Sequence, residues 1–474
     1  MKQTDDAAPT SISTPSWLEK IPHPFALIFG IIIVAAILTH IIPAGAFDKV
    51  TLANGREGVV PGSFHYIEGN PATFMDVFMA IPEGLVSAAN IIFLAFISGA
   101  AFQVLEYSRT LENAVGSAIR VIGQSRAKLL IVIVTFVYGI LGIAVGFESN
   151  IALVPIAVII CLAIRGDLLL GAGVSLGAIG VGFATSPINV FTVGTSQMIA
   201  ELPIFSGALL RSVFCLACLS ALAWYNCRYY TRLLDGRIAS SVASISTAGL
   251  QLEKHADEYR MRPEDVLTII AFFGFLTFLF IGVMAYDWHI NHFSAIFVMI
   301  AITTAVIHRI PMNTAVEQMI KGAGAIAGGA LVIGLARAIQ VIFEDAMVSE
   351  TIVNALASPL AQFPPYLSAV LMTVVNALIN IFIPSGSGQA MVTMPILIPL
   401  SDLIGVTRQT AIFAFQVGDG LTNLLVPTSG GTLAMLALAR VPYDRWLRYI
   451  APLIGMLFLL SWVFLGIATA ISWQ

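Results

Sequence analysis

The residues that could do chemistry in this sequence are carboxylates, hydroxyls and amides placed between apolar runs. Glu148-Ser149-Asn150 joins one pair of apolar segments, and Ser385-Gly-Ser-Gly388 joins another. Asp419 is flanked by Gly418 and Gly420 inside a further apolar run. An ionised carboxylate at membrane depth is costly unless a cation or a proton compensates it. These groups therefore indicate a site for a cation, a proton or a polar solute.

Two long apolar segments carry polar interruptions that contain proline. Residues 168–200 are interrupted at Ser186-Pro-Ile-Asn189, and residues 409–439 at Pro427-Thr-Ser-Gly-Gly431. Backbone groups freed inside a membrane must face protein or a water-filled cavity, and inverted-repeat transporters place their sites at such breaks. One proline break alone would be a kink. Two breaks together with two polar tips, in matched pairs, predict a binding site.

The predicted substrate- and ion-binding residues are the polar members of these interruptions and three neighbours: Glu148, Ser149, Asn150, Ser186, Asn189, Arg337, Ser385, Ser387, Gln389, Asp419, Asn423, Thr428 and Ser429. A sodium ion is predicted at Asn150, Ser387 and Asp419, with a proton as the alternative coupling ion. For Glu148 the alternative role is a helix cap in a water-filled vestibule. Arg337 is either the counter-ion of a carboxylate substrate or a structural partner of an intramembrane acid.

The composition is that of a polytopic membrane protein. Of the 474 residues, 58% are hydrophobic and 11% are charged, and the mean hydropathy is +0.91. Soluble domains carry about 25% charged residues, whereas apolar runs of roughly 20 residues span a bilayer. We interpret residues 25–43 as a retained first helix, not a signal peptide. The formal net charge is −4 without a basic stripe, which argues against nucleic acid as a partner.

Enzymatic chemistry is not supported. Histidines are few and scattered, no Ser, His and Asp candidates cluster, and no GxxxxGK[ST] motif is present for ATP. Cys215 and Cys218 form a CxxC without a second ligand pair, so they are interpreted as small apolar residues. No catalytic residue, cofactor or firm metal site is expected.

The chain is predicted to consist of two repeated halves. Gly84 to Val115 matches Gly322 to Val353, and the tips and breaks fall in nearly the same register. The predicted organisation is a tail over 1–24, a first transmembrane half over 25–227 (repeat 73–227), a linker over 228–263, and a second half over 264–474 (repeat 311–474). One span precedes the first repeat and two precede the second, so the repeats would enter the membrane from opposite sides. The predicted fold is all-α, with inverted repeats, hairpins and discontinuous transmembrane helices.

Positive charge predicts the orientation. With the N-terminus and linker in the cytoplasm, 18 of the 23 Lys and Arg residues lie inside, Lys49, Arg56 and Arg408 lie outside, and Arg211 and Arg337 lie within apolar spans. The loop after the first repeat's leading helix carries four basic residues, whereas its counterpart over 344–365 carries none. The predicted location is a bacterial inner membrane, with a multi-pass chain.

Several motifs resemble the YfcC-like branch of the DcuC family. They are Gly182-Phe-Ala-Thr-Ser-Pro-Ile-Asn189, Ile383-Pro-Ser-Gly-Ser-Gly-Gln-Ala390, Phe415-Gln-Val-Gly-Asp-Gly420 and Pro427-Thr-Ser-Gly430. The resemblance covers roughly residues 20 to 470. It implies membership of the ion-transporter superfamily and a secondary transporter of C4-dicarboxylates, with a relation to arginine–ornithine exchangers. By position, it also implies that the two tips and two breaks form the site.

The charge balance of the predicted site bears on the substrate. The predicted site holds the acids Glu148 and Asp419 against one basic residue, Arg337, so an amino acid, or an anion carried with cations, fits better than a bare dicarboxylate. The expected partners are this small-molecule substrate and the lipid bilayer, with a homodimer as a further prediction. Symport and exchange both stay open. The alternative functions are a channel and a membrane-embedded sensor or scaffold.

Overall fold

The computed structural model describes residues 24–51, 57–60, 62–122, 126–250, 258–286, 288 and 290–474. Long helices dominate this part of the chain. In the first half they are α1 (Pro24–Thr39), α2 (Phe74–Ser87), α3 (Ala89–Tyr107), α4 (Thr110–Ile122), α5 (Ala127–Val145), α6 (Val154–Ala163), α7 (Leu168–Ala172), α8 (Ala178–Thr185), α9 (Thr195–Ile199) and α10 (Ala208–Leu234). A 3₁₀ turn over Glu148–Leu153 precedes α6, a π-helical turn over Gly173–Gly177 joins α7 to α8, and another over Val190–Gly194 precedes α9.

The second half repeats this order. Its helices are α11 (Pro263–Tyr286), α12 (Ile290–Ile307), α13 (Met312–Ala325), α14 (Ala327–Asp345), α15 (Ser349–Ala357), α16 (Pro365–Phe382), α17 (Gly386–Leu403), α18 (Arg408–Thr422), α19 (Gly430–Ala439) and α20 (Tyr443–Ala470). Among the described residues, seven helices are long and apolar enough to cross a membrane, and the bent pair α13–α14 would make eight. The chain is therefore an all-α, multi-pass membrane protein, as the composition predicts.

The halves pack as inverted repeats, because equivalent helices exchange partners. α2 packs on α14, and α3 packs on α13. A Cβ atom at Gly84 of α2 would lie 2.4 Å from the carbonyl oxygen of Gly334 in α14, and one at Gly322 of α13 would lie 2.3 Å from that of Gly99 in α3. Gly84 and Gly322 are equivalent positions 238 residues apart, and each meets the backbone of the other repeat, which identifies a pseudo-two-fold axis between the halves.

The direction of these helices completes the argument. Asp76 at the start of α2 lies near Asp345 at the end of α14, while Leu85 at the end of α2 meets Gly334 in the first half of α14. α2 and α14 are thus antiparallel, so the corresponding spans α2–α3 and α13–α14 cross the membrane in opposite directions. The prediction of inverted repeats is confirmed.

Hairpins and broken helices are present at the predicted positions. α5 and α6 form the first hairpin, and α16 and α17 the second. α8 is separated from α9 by the break at 186–189, and α18 from α19 by residues 423–429. Ten residues of helix rise about 15 Å, which is half of a roughly 30 Å hydrocarbon core. α6 and α19, ten residues each, therefore reach only half-way across, so the first residue of each lies at membrane depth.

Two faces of the bundle can be named from their connections. The loop face carries two antiparallel strand pairs, β1 (Gly45–Ala46) with β4 (His65–Tyr66) and β2 (Lys49–Thr51) with β3 (Glu57–Val59). The backbone N–H of Gly45 donates to Met347 O, just after α14. The linker face carries the chain between α10 and α11, where Gly249 lies against the Glu106 carboxylate at the end of α3. The span α2–α3 begins at the loop face and ends at the linker face, so the two faces lie at opposite ends of the bundle.

Some boundaries differ from the predicted ones. Residues 82–105 form one apolar run, which predicts a single span, but the run is divided between two helices, α2 and α3, joined at Ala88. α10 continues to Leu234, so the linker begins later than residue 228. The charges of Glu253 to Arg262 predict a short helix; residues 253–257 lie outside the described part of the chain, and residues 258–262 form no α-helix. The strand pairs of the loop face were not predicted, and the division into domains stays a prediction.

Candidate functional site

Each hairpin tip lies against the broken helix of the other repeat. At the first tip, Glu148 and Phe147 lie about 3.0 Å from the position that a Cβ atom on Gly431 would take, just after the second break. At the second tip, a Cβ on Gly386 would lie 2.7 Å from Thr192 and 3.3 Å from Asp419 Oδ2. The fold thus brings both tips and both breaks into one central region.

The first tip is shaped by its own hydrogen bonds. Gly146 ends α5 with φ = +101°, a conformation that favours glycine. The Asn150 side-chain amide donates to Gly146 O at 2.6 Å and is buried, so its N–H groups hold the turn. Ser149 and Glu148 beside it are partly accessible. Among the tip residues, Glu148 therefore remains available for a ligand.

The second tip is held by hydrogen bonds between Gln389 of α17 and Asn376 of α16. The Gln389 amide donates to Asn376 O at 3.0 Å and to Asn376 Oδ1 at 3.2 Å. Ser385 caps α17 by accepting from the Gly388 N–H, and Ser387 is partly accessible. The side-chain oxygen of Gln389, Oε1, is buried without a hydrogen-bond donor among the described residues.

The breaks are tied to the same region. Ser186 donates to Ile143 O at 3.2 Å, and its own carbonyl accepts from the Gln416 amide at 2.6 Å. Asn189 is buried and accepts from the Thr192 N–H at 3.2 Å. In the second break, Thr432 donates to Asn423 O at 2.6 Å. These bonds join the first break to α5 and α18, and Thr432 closes the second break on itself.

Asp419 is the most unusual group of the region. It is fully buried on α18, and neither carboxylate oxygen has a hydrogen-bond donor among the described residues. Its backbone carbonyl is held by the Asn380 amide at 3.0 Å, which also donates to Asn423 Oδ1 at 3.0 Å. The backbone is thus fixed while the carboxylate is left without a partner.

Further buried oxygens lack donors in the described part of the chain. Ser117 Oγ, Ser196 Oγ and Thr351 Oγ1 are among them, and five more belong to the region described here: Thr192 Oγ1, Asn380 Oδ1, Gln389 Oε1, Gln416 Oε1 and Thr428 Oγ1. Native proteins satisfy nearly all buried polar groups, so each exception needs an explanation. The last five oxygens lie on the second tip, the turn after the first break, the second break, α16 and α18. Oxygens that accept without a donor fit a ligand that is a cation or a rich hydrogen-bond donor.

The electrostatic balance of the region is acidic. Glu148 is close enough to Asp419 for the two carboxylates to repel each other. No described Lys, Arg or His side chain forms an ion pair with either one. Phe147 and Phe183 pack at the same place, with ring centroids 5.9 Å apart. Two acids beside aromatic rings would attract positive charge.

Arg337 lies outside this arrangement. Its Nε donates to Ser87 Oγ at 3.0 Å, and Nη1 donates to Gln340 Oε1. The Gln340 amide in turn donates to Glu344. Among the predicted residues, those of the tips and breaks lie in one region. Arg337 instead belongs to a chain of hydrogen bonds along α14 with Gln340 and Glu344.

Four residues of the region were not found by sequence reasoning: Asn376, Asn380, Gln416 and Thr192. Asn376 and Asn380 are four residues apart, which places them on one face of α16, and Gln416 lies three residues before Asp419. Amides at helical spacing inside an apolar span were the signal that could have identified them.

One surface pocket lies away from this region. It encloses about 210 Å³ at the loop face and is lined by residues that include Asp76, Glu83 and Asp345. It is separate from the tips and breaks.

Comparison with known proteins identifies a family and two relatives. The family model described as "DcuC: C4-dicarboxylate anaerobic carrier" matches residues 21–470. The "Putative basic amino acid antiporter YfcC" of Escherichia coli (strain K12) is 29% identical over 95% of this chain and 96% of its own. An uncharacterized protein of Haemophilus influenzae is 26% identical over 95% of this chain and 97% of its own.

Two solved structures also align. They are the Alcanivorax borkumensis YdaH transporter, at 19% identity, and Neisseria gonorrhoeae MtrF, from a class of antimetabolite efflux pumps, at 18%. Each has a TM-score of 0.45 and covers 95% of this chain, and the alignments cover 99% and 96% of those chains.

Proposed function

This chain belongs to the DcuC family and is a membrane transporter, and we propose that it is a cation-coupled secondary transporter of a small organic solute. The observation that carries the proposal is Asp419, a fully buried carboxylate whose two oxygens have no partner among the described residues. Glu148 lies near enough to repel it. The site would bind the coupling cation and the solute between the hairpin tips and the breaks.

The cost of burying charge supports the coupling. An isolated ionised carboxylate in an apolar interior is penalised by several kcal/mol or more. A bound cation would remove that penalty in the loaded carrier and leave it in the empty one. A ligand shifts a conformational equilibrium only through its different affinities for the two states. Cation occupancy would therefore decide how readily the carrier changes state.

Sodium explains the unpartnered oxygens better than a proton does. A proton on Asp419 would satisfy the carboxyl group but would leave the amide oxygens of Asn380, Gln389 and Gln416 without donors. Each unsatisfied buried acceptor costs about 1–3 kcal/mol. A cation coordinated by several oxygens can compensate them together, and transporter sites built from broken helices bind Na⁺ with such oxygens. We place Na⁺ at Asp419 with oxygens of the second tip, which includes Ser387.

The acidic balance also bears on the solute. Glu148 and Asp419, with the rings of Phe147 and Phe183, favour a substrate that carries a positive group, such as an amino acid. The name of the Escherichia coli relative, "Putative basic amino acid antiporter YfcC", agrees with this chemistry. The family description names C4-dicarboxylates, and such a substrate would need Na⁺ to offset the acids. Arg337, bonded to Ser87 and Gln340, fits a structural role better than that of a substrate counter-ion.

The orientation belongs to the same proposal. We place the linker face in the cytoplasm and the loop face outside a bacterial inner membrane, because basic residues concentrate at the linker face. A homodimer stays a prediction. A channel or a sensor without transport are the alternatives, and counterflow exchange of bound substrate would distinguish a carrier from both.

A stability screen of the purified protein tests the proposal. A ligand that binds only the native state raises apparent stability, by about 2.7 kcal/mol at 100 times its Kd. We expect Na⁺ to raise the unfolding temperature when K⁺ does not, and basic or neutral amino acids to add to that shift. If C4-dicarboxylates are the only solutes that stabilise the protein, the substrate is a dicarboxylate and not an amino acid. If no cation and no solute stabilises the protein, the proposed site is wrong.

A further inference from the structure

The pseudo-two-fold axis relates two corners of the molecule, one on each face. On the loop face, the turn between α17 and α18 meets the end of α9. On the linker face, the turn between α6 and α7 meets the end of α19. The correspondence is close: Asp167 and Thr407 both cap the following helix, and Glu201 and Arg440 both have positive φ, +57° and +56°. Each of the last two also stands two residues before a proline.

A single side chain closes the corner on the loop face. Arg408 donates to Asp402 Oδ2 at 2.8 Å, at the end of α17, and to Ala200 O at 2.8 Å, at the end of α9. Glu201 lies 3.7 Å from the same guanidinium. Arg408 therefore joins the hairpin of one repeat to the broken helix of the other.

The corner on the linker face has no equivalent arginine, because Leu168 occupies the position that corresponds to Arg408. The linker between the repeats bridges it instead. Ser240 donates to Asp167 Oδ2 at 2.6 Å, in the turn between α6 and α7. Arg440, at the end of α19, donates to Ala248 O at 2.6 Å and to Ser246 O at 3.3 Å. On both faces a hairpin is thus joined to a broken helix. Arg408 makes the connection on the loop face, and the linker makes it on the linker face.

Two further features fix the linker in this place. Val242 and Leu250 are buried, with 2% and 3% of their surface exposed. Between them, Gly249 has φ = +78°, and a Cβ there would lie 2.3 Å from Glu106 Oε1 of α3. Arg440 and Lys321 both interact electrostatically with the Glu106 carboxylate. The bridge therefore also reaches α3 and, through Lys321, the neighbouring α13.

We propose that linker residues 240–250 act as a releasable clip that closes the linker-face route to the central site, as Arg408 does on the loop face. α6 begins beside the Glu148 tip and α19 begins beside the second break, and both end at the clipped corner. Separation of these two ends would open a path from the linker face to the site. The two faces would then be controlled independently, one by an ion pair and the other by a segment that other molecules could reach.

The test measures access to the site from each face. A cysteine at Ser149, in a protein whose four native cysteines are replaced, would be labelled by a membrane-impermeant thiol reagent in vesicles of each orientation. Arg440→Gln and Ser240→Ala should each raise the rate from the linker face, by about tenfold for the charged bond, and leave the other rate unchanged. Arg408→Gln should raise only the rate from the loop face. Arg445→Gln, which removes a similar charge from the start of α20, is the matched control and should change neither.

The clip is wrong if Arg440→Gln and Ser240→Ala both leave the linker-face rate within twofold of the parent, or if they raise both rates equally. Ser240→Ala alters no helix, so it keeps the test valid if Arg440→Gln folds poorly. Labelling requires neither substrate nor coupling ion, and the Na⁺-dependent stability shift is measured separately. Failure of the clip and failure of the proposed transport function are therefore distinguishable.

Discussion

At the scale of single residues, the site is held by amides whose role is to position other groups. Asn380 is buried in α16 and donates to both Asp419 O and Asn423 Oδ1. Its amide fixes the backbone on which the unpartnered carboxylate stands and orients the amide of the second break. Removal of this donor leaves the buried Asn423 Oδ1 without its donor, and leaves Asp419 O only the longer bond from the Asn423 N–H, at 3.4 Å.

We therefore expect Asn380→Ala to lower the free energy of unfolding by about 1–3 kcal/mol, measured by thermal unfolding in detergent. The control is Asn313→Ala, at an exposed position of α13, where a surface change should stay within about 0.5 kcal/mol. Equal effects of the two substitutions would mean that the bonds of Asn380 do not hold the region together.

Sequence reasoning reached this scale only in part. Glu148, Ser385 and Asp419 stood out because glycine, serine or charge interrupts an apolar run beside each of them. Asn376, Asn380 and Gln416 did not, because a buried amide in an otherwise continuous helix leaves the hydrophobic pattern intact. Arg337 stood out as a charge inside a span, but its sequence position does not reveal that its partners are Ser87 and Gln340.

At the scale of elements, close helix packing depends on glycines that face a neighbouring backbone. α5 and α8 pack through two such positions. A Cβ on Gly182 would lie 2.1 Å from Gly139 O, and one on Gly142 would lie 2.2 Å from Ile179 O. No side-chain rotation can relieve such contacts, because the opposing atoms belong to the backbone.

Gly182→Ala should therefore separate α5 from α8 and destabilise the protein by about 1–3 kcal/mol, the usual cost of overpacking. Gly455→Ala, in α20, where no atom lies within 4 Å of the added Cβ, should instead gain up to about 1 kcal/mol from helix propensity. Thermal unfolding of the pair measures both signs. A neutral Gly182→Ala would show that the helices pack less tightly than described here.

The hairpins and half-helices could be predicted because their signal is the spacing of interruptions, which survives low sequence identity. Ser186-Pro187 and Pro427-Thr428 each break a run too long for one span, so length alone reveals them. The strand pairs over 45–66 escaped prediction because they are two or three residues long. No glycine or proline stands next to Ala88, where α2 ends and α3 begins, so the sequence predicts one continuous span over 82–105.

At the scale of the whole molecule, inversion follows from charge as well as from packing. Equivalent segments differ in charge across the pseudo-two-fold axis: Lys321 and Arg440 at the linker face correspond to Glu83 and Glu201. A membrane protein inserted by the positive-inside rule would place the linker face in the cytoplasm. Packing alone relates the halves, and charge orients them.

This orientation predicts which positions an external reagent can reach. A cysteine at Ser358, which is exposed after α15, should react with an impermeant maleimide in intact cells. A cysteine at Thr247 in the linker should react only after the membrane is opened. Reaction of Thr247→Cys in intact cells, or protection of Ser358→Cys, would reverse the assigned sides.

The central claim is that the Glu148 and Asp419 carboxylates couple cation binding to transport, and one experiment tests it most directly. Wild type, Glu148→Gln and Asp419→Asn would be compared in proteoliposomes, for accumulation driven by an imposed Na⁺ or proton gradient and for counterflow without a gradient. We predict that gradient-driven accumulation falls by about tenfold or more in at least one mutant, as expected for loss of a charged ligand, while counterflow persists. If both mutants accumulate substrate as the wild type does, neither carboxylate couples transport.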